Sequence, residues 1–197
     1  RASLGLTLLL LFPICVDLLR RPLTPSRALL ALVNCSLSFF LASFQVHEKS
    51  LLLALVPASF LIPQSPLDAG WFQIVGGMTL YPLLKRDGQA VPYFCTLVFY
   101  CSLLFGIFNK HIGTLSTQVT KAHNKSSRKH WFELLQPFIT YIRHMYFLVS
   151  VTGFFLLHFA ELQISPPERY PDLYPALFSI FGCCNLLWYY TYFVSWQ

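Results

Sequence analysis

The sequence predicts an all-α protein, a polytopic bundle of transmembrane helices. Of its 197 residues, 55% are hydrophobic and only 11% are charged, and the mean hydropathy is +0.56. About a quarter of the residues in a soluble domain carry a charge, so the composition excludes an ordinary soluble fold. The apolar residues also fall in long runs separated by polar segments, which is the pattern of a chain that crosses a membrane several times.

Basic residues and cysteines point neither to nucleic acid nor to a metal. The 14 lysines and arginines outnumber the 8 acidic residues, but they stand singly between apolar runs, as loop anchors of membrane proteins do. The six cysteines lie inside apolar segments, where free cysteine is typically a small buried side chain. We therefore expect no nucleic-acid partner, no disulfide framework and no metal or cofactor.

Seven apolar segments are candidates for membrane helices, which need about 20 residues. They cover residues 4–19, 28–46, 50–62, 69–84, 91–108, 134–160 and 173–196. Proline, serine and charged residues separate them, as expected at helix ends, and Ser26 and Asp68 suit N-cap positions. The polar and basic residues 109–133 are predicted to form a cytosolic loop.

The first apolar segment resembles a signal peptide in length and position. Arg20, Arg21 and Pro22 follow it, where a signal peptide would have a small-residue cleavage site. We therefore predict a membrane helix there, and we expect the chain to be the carboxy-terminal part of a longer protein.

The orientation follows from the basic residues in alternate loops. One set of loops carries eight lysines and arginines, and the opposite set carries four. Cytosolic loops are the richer in basic residues, which places the first set and the carboxy terminus in the cytosol. The turn at residues 47–49 and the loops at 85–90 and 165–172 then face the lumen or exterior, with Lys85 and Arg86 in a solvated turn. This assignment requires an odd number of spans.

Three ionisable residues, His47, Glu48 and Lys49, interrupt two apolar runs. The flanking arms are about 24 to 30 Å long as helices, so the three residues lie at the tip of a tight hairpin. Charges near membrane depth are costly unless they face a cavity or each other, which favours a functional role; an interfacial turn reaching the headgroups is the alternative. Successive helical residues point about 100° apart, so we assign His47 to a substrate and Glu48 and Lys49 to fixing the turn.

Polar residues inside the sixth segment allow two interpretations. Arg143 and His144 could line a site for lipid headgroups, or they could pair with other side chains within the bundle. Exposing a charged group to lipid is costly, and pairing within the bundle is the more economical arrangement.

Two stretches carry a family resemblance. "FQVHEKSLLLALVP" at residues 44–57 resembles the signature of the endoplasmic-reticulum glucosyltransferases that use dolichyl phosphate glucose to extend the lipid-linked oligosaccharide for asparagine-linked glycosylation. "PPERYPDLYPALFSIFGCCNLLWYY" at residues 166–190 is similar to their carboxy-terminal pattern. The first stretch is closer to the enzyme that adds the first glucose than to its sister that adds the second.

The resemblance implies the carboxy-terminal part of a GT-C type glycosyltransferase in the endoplasmic-reticulum membrane, with a lumenal active site. Its partners would be membrane lipid, the donor dolichyl phosphate glucose and the acceptor, a dolichyl-diphosphate-linked oligosaccharide. The implied transfer forms an α-1,3 linkage with inversion, and it needs a carboxylate base and stabilisation of the departing phosphate. In the family that base lies far upstream, so we expect this chain to lack it and to be inactive alone.

Within that reaction, His47 is the candidate catalytic residue, in contact with the phosphate or sugar of the donor. Lys49 is a second candidate for pairing with phosphate, ranked below its role in the turn. The alternatives are the sister enzyme, a segment of a secondary transporter or channel, and a structural subunit. A transporter is expected to show inverted repeats or helices broken at midmembrane, and the sequence shows no repeat.

Overall fold

The described chain is a bundle of helices, as the composition predicts. The structure, a computed structural model, describes residues 2–43, 47–122 and 130–196, without the side chains of residues 108–140, 144 and 196. Its helices are α1 (Ala2–Arg20), α2 (Pro25–Ala42), α3 (Leu52–Ser59), α4 (Pro66–Thr79), α5 (Tyr81–Arg86), α6 (Ala90–Ala122), α7 (His130–Gln163) and α8 (Leu173–Trp196). A 3₁₀ helix, Glu48–Leu51, leads into α3, and no strand occurs in these ranges.

Helices α2 and α4 each begin three residues before their predicted segments, at Pro25 and Pro66. Both α2 and α4 start with a proline, which is favoured at the first helical position because the missing N–H would have no partner there. The residue before each proline is the N-cap, Thr24 for α2 and Ser65 for α4. The prediction of Ser26 and Asp68 as caps is therefore wrong, since both lie in the first turn of their helix.

Among the described residues, five helices are long and apolar enough to cross a membrane: α1, α2 and α8, and the apolar parts of α6 and α7. The predicted span 50–62 contains α3, whose 8 residues extend only about 12 Å. The predicted span 69–84 is divided at Leu80 into α4 and α5, because Pro82 has no N–H to continue the helical ladder. With five spans, as with seven, the two ends of the chain lie on opposite sides of the membrane. The predicted orientation therefore does not change.

The end of α5 is fixed by a glycine. Gly88 has a φ of 72°, a left-handed conformation that glycine adopts without steric cost. Its N–H donates to the carbonyl of Lys85 at 3.0 Å, and the next N–H, from Gln89, donates to the carbonyl of Leu84 at 2.8 Å. This pair of bonds is the Schellman ending of a helix, and it sets the position of the Lys85 and Arg86 side chains.

The predicted loop at residues 109–133 is largely helical. Helix α6 continues through Ala122 and α7 begins at His130, so the loop prediction is wrong for residues 109–122 and 130–133. Helix formation depends on backbone hydrogen bonds rather than on apolar side chains, and this stretch has no proline to interrupt them. Residues 123–129, and residues 44–46 at the end of the predicted second span, lie outside the described residues.

The core is centred on α4 and α8. The Phe72 ring, fully buried, packs against the rings of Tyr189 and Phe193, with centroid distances of 5.2 and 5.4 Å. Helices α3 and α6 pack against other sides of α4. Helix α2 packs against α1, α3 and α8.

The outer helices expose apolar surface. Leu9 of α1 and Val98 of α6 keep 68% and 66% of their surface accessible, as expected for side chains that face lipid. Five of the six cysteines are exposed, and Cys35 is half-buried. The prediction of buried cysteines is wrong, because the helix faces that carry the five exposed cysteines point away from the core.

Candidate functional site

His47 fixes the turn at the tip of the predicted hairpin. It is the N-cap of the 3₁₀ helix, and its Nδ1 accepts a hydrogen bond from the backbone N–H of Lys49 at 3.2 Å. Its carbonyl accepts from the N–H of Ser50 at 2.8 Å and from the hydroxyl of Ser50 at 2.5 Å. Leu51, which is fully buried, ties the turn to the core. The exposed imidazole is thus held in one orientation.

This cap determines which nitrogen of the ring can act on a ligand. Because Nδ1 accepts a hydrogen bond, the neutral imidazole carries its proton on Nε2. Nε2 has no hydrogen-bond partner within the part of the chain that the structure describes. His47 therefore presents an N–H donor to the space beside the turn.

Glu48 and Lys49 are both exposed. The recorded contribution of Lys49 to the turn is its backbone N–H, and the structure records no ion pair between Glu48 and Lys49 in its described ranges. The cap on His47 and the bonds from Ser50 hold the turn. The roles assigned from the sequence, phosphate pairing by Lys49 and turn formation by both side chains, stay predictions.

An open cleft with a volume of about 530 Å³ lies next to the turn. Segments far apart in the sequence line it: the 3₁₀ helix, α5, and the end of α7 with its connection into α8. Its charged lining residues are Glu48, Lys85, Arg86, Glu161 and Asp172, and four prolines also line it. The turn, the 85–90 loop and the 165–172 loop were predicted to face the same side of the membrane, and the structure brings them together.

An ion pair in the cleft joins α5 to α7. The Lys85 Nζ donates to Oε1 of Glu161 at 2.9 Å. The Glu161 side chain is only 9% exposed, whereas that of Lys85 is 46% exposed. The second carboxylate oxygen, Oε2, is buried without a hydrogen-bond partner in the described ranges. An unpaired buried acceptor is costly, so this carboxylate has capacity for one more donor.

Sequence reasoning missed this pair. It interpreted Lys85 as solvated and assigned no role to Glu161. The two residues are 76 positions apart, and no local spacing connects them. The available signal was the alternation of loops, which placed both residues on one side of the membrane.

The opposite end of the bundle contains a different cluster, around Asp68. Its Oδ2 accepts from the hydroxyls of Ser65 at 2.6 Å and Tyr192 at 3.0 Å, and from Nη1 of Arg143 at 3.4 Å. Asp68 is 7% exposed, and the cavity beside it has a volume of about 10 Å³, no more than one water needs. Arg143 therefore pairs within the bundle, the second of its two interpretations, while the side chain of His144 lies outside the described residues.

Comparison with known proteins identifies the class, a family of membrane glycosyltransferases. Residues 1–193 match the "ALG6, ALG8 glycosyltransferase family". The chain belongs to this family, which confirms the assignment made from the His47 signature and the carboxy-terminal pattern. Membership also speaks against a transporter or channel segment.

Three relatives share one name, "Dolichyl pyrophosphate Man9GlcNAc2 alpha-1,3-glucosyltransferase". The chain is 36% identical to that of Gallus gallus, over 98% of this chain and 38% of the relative. It is 35% identical to that of Pongo abelii, over 97% and 37%, and 31% identical to that of Saccharomyces cerevisiae, over 87% and 33%. The chain thus spans less than two-fifths of the length of these relatives.

Proposed function

We propose that this chain forms part of a glucosyltransferase of the endoplasmic-reticulum membrane. The full enzyme transfers glucose from dolichyl phosphate glucose to dolichyl-diphosphate-linked Man9GlcNAc2 and forms an α-1,3 linkage. Family membership and the names of the relatives support the transferred sugar, the acceptor and the linkage. The observation that carries the proposal is the exposed imidazole of His47, which caps a turn whose next residue, Glu48, lines an open cleft.

The proposed step is the addition of the first glucose. The acceptor in the names of the relatives, Man9GlcNAc2, carries no glucose. The resemblance of the His47 signature to the first of the two sister enzymes supports the same choice.

The proposed reaction is a single displacement. The bond between the anomeric carbon and the dolichyl phosphate oxygen breaks, and a bond forms between that carbon and an acceptor hydroxyl oxygen on the opposite face, which inverts the centre. The hydroxyl proton passes to a carboxylate base, and the departing dolichyl phosphate takes the electron pair. We assign that base to no residue of the described chain.

The proposed role of His47 is to stabilise the leaving group. Its Nε2–H donates a hydrogen bond to a phosphate oxygen, whose negative charge increases as the bond breaks. A donor that is already oriented towards developing charge needs no reorganisation during the reaction, and one such donor contributes roughly 100- to 1,000-fold in rate. Lys49 remains a weaker candidate for the same phosphate, because the structure records only its backbone N–H in the turn.

The proposed side of the reaction is the lumen. The excess of basic residues in the other loops supports this orientation. The cleft brings the 85–90 and 165–172 loops to the His47 turn, so the three segments share one side of the bundle, as the lumenal assignment requires.

The test is a transfer assay with the full-length enzyme in membranes that lack the endogenous activity. We expect radiolabelled glucose to pass from dolichyl phosphate glucose to lipid-linked Man9GlcNAc2. With UDP-glucose as donor, or with an acceptor that already carries one glucose, we expect no product. Transfer only to the monoglucosylated acceptor would identify the sister activity instead, and transfer from UDP-glucose would contradict the proposed donor.

A further inference from the structure

The ionisable groups of the cleft suit an uncharged, hydroxyl-rich ligand. Three carboxylates, on Glu48, Glu161 and Asp172, line it together with the cations of Lys85 and Arg86, so its formal net charge is −1. A phosphate or diphosphate would meet net repulsion there. Hydroxyl groups, in contrast, both donate to carboxylates and accept from lysine and arginine, so a sugar matches this mixture.

Glu161 supplies a second and independent indication of a ligand. Its side chain is more than nine-tenths buried, its Oε1 accepts from the ammonium of Lys85, and the Tyr81 hydroxyl interacts with the carboxylate. Oε2 is buried and has no hydrogen-bond partner in the described ranges. The Lys85 side chain is half-exposed, so a hydroxyl group that enters beside it would provide a donor to Oε2 of this carboxylate.

The cleft is also large and stiff enough to hold more than one sugar. Its volume of about 530 Å³ lies within the range of about 300 to 1,000 Å³ found for ligand pockets and exceeds the needs of one hexose. Four prolines restrict the backbone that lines it. The Tyr174 hydroxyl donates to the carbonyl of Ala160 at 3.1 Å, which ties the start of α8 to α7. A preformed cleft reduces the entropic cost of binding.

We infer that this cleft binds mannose residues of the oligosaccharide acceptor. Hydroxyl groups of the sugar donate to Asp172 and Glu48. Another hydroxyl accepts from Lys85 and donates to Glu161. Glu48 directly follows His47 in the chain. A glycan bound in the cleft therefore has one end close to the position proposed for the donor phosphate. The inference rests on the proposed function and adds the binding site of its larger substrate.

The test compares acceptor binding by two acidic variants of the full-length enzyme in lipid nanodiscs. Asp172→Asn removes a charge from the cleft, and Glu168→Gln removes one from the same exposed loop outside the cleft. We expect Asp172→Asn to raise the KM for lipid-linked Man9GlcNAc2 about tenfold, the effect of weakening one charged hydrogen bond. The KM for dolichyl phosphate glucose should stay within about twofold, as should every constant of Glu168→Gln.

A third variant examines the ion pair. Lys85→Met leaves the Glu161 carboxylate without its cation, and we expect it to raise the acceptor KM as well. Because this change also reduces folding stability, Asp172→Asn decides the result. An acceptor KM unchanged in Asp172→Asn would overturn the inference, and a rise in the donor KM alone would show that the cleft holds the glucose of the donor instead.

A binding measurement separates this inference from the proposed function. Free Man9GlcNAc2 glycan is added to each protein, and saturation-transfer NMR reports its contact. Binding to wild type that weakens in Asp172→Asn but not in Glu168→Gln would support the cleft even if no glucose transfer were found. Transfer by wild type without any effect of Asp172→Asn on glycan binding would refute the cleft and leave the proposed function intact.

Discussion

The two ends of the bundle use their charged residues in opposite ways. At one end, which we call the closed end, Asp68 accepts hydrogen bonds from Ser65, Tyr192 and Arg143, and the cavity beside it measures about 10 Å³. At the other, the open end, the His47 turn borders a cleft of about 530 Å³. Within the part of the chain that the structure describes, each end contains a buried carboxylate, and the larger space lies beside that of the open end.

The difference also concerns how the carboxylates are satisfied. At the closed end, Asp17 pairs with Arg27 and with Arg21, the latter at 3.3 Å, so its partners are all within the protein. At the open end, Oε1 of Glu161 accepts from Lys85, while Oε2 has no hydrogen bond within the described residues. The carboxylates of the closed end therefore hold helices together, whereas the carboxylate of Glu161 has an oxygen that the proposed ligand would engage.

The largest expected effect on stability comes from breaking the closed end. Asp68→Ala removes the acceptor of three hydrogen bonds and leaves Arg143 without its ion-pair partner. We expect a loss of about 3 kcal/mol, because three donors lose their acceptor and one hydrogen bond contributes about 1 kcal/mol. Thermal unfolding of the full-length protein in detergent, followed by tryptophan fluorescence, measures it.

The matched control is Asp87→Ala near the open end. Asp87 is exposed at the end of α5, and we expect its substitution to change stability by no more than about 0.5 kcal/mol. Equal losses in the two variants would remove the distinction between the ends.

A smaller effect is expected where α4 meets α8 between the ends. A Cβ added at Gly182 of α8 would lie 2.5 Å from Oγ1 and Cγ2 of Thr79, atoms on a branched side chain close to its backbone. We expect Gly182→Ala to destabilise the protein by about 1 to 3 kcal/mol through overpacking. At Gly106 of α6 a Cβ would meet open space, so Gly106→Ala should stabilise the helix by about 0.5 to 1 kcal/mol. Unfolding midpoints that move in the same direction would refute this packing.

The smallest expected effect concerns the side chain of Lys49. Since the recorded bond of this residue in the turn comes from its backbone N–H, we expect Lys49→Gln to reduce glucose transfer by no more than about twofold and stability by no more than about 0.5 kcal/mol. The transfer assay with saturating donor measures the first quantity. A tenfold loss in kcat would make Lys49 a phosphate contact and raise it above its structural role.

Sequence patterns predicted features that depend on composition and on local signals. The apolar runs revealed the five long spans, and "FQVHEKS" revealed both the family and the exposed turn around His47. The patterns failed where tertiary contacts determine the length of a helix. The apolarity of 50–62 did not show that α3 is short, and the polarity of 109–122 concealed the extension of α6.

The same limit applies to the candidate site. The cap on Nδ1 of His47 depends on the backbone of the next turn, which the signature does not specify. The Lys85–Glu161 and Arg143–Asp68 pairs join residues 76 and 75 positions apart, so only the packed bundle reveals them.

The central claim, that the capped imidazole of His47 stabilises the departing phosphate, is tested most directly by kcat in His47→Ala and His47→Asn. Asparagine is a good N-cap residue and keeps the turn, but it lacks the reach of Nε2. We predict that both variants unfold within a few degrees of wild type and lose roughly 100-fold in kcat with saturating donor and acceptor. Full activity in His47→Asn would contradict the account, because the cap alone would then explain why histidine is there.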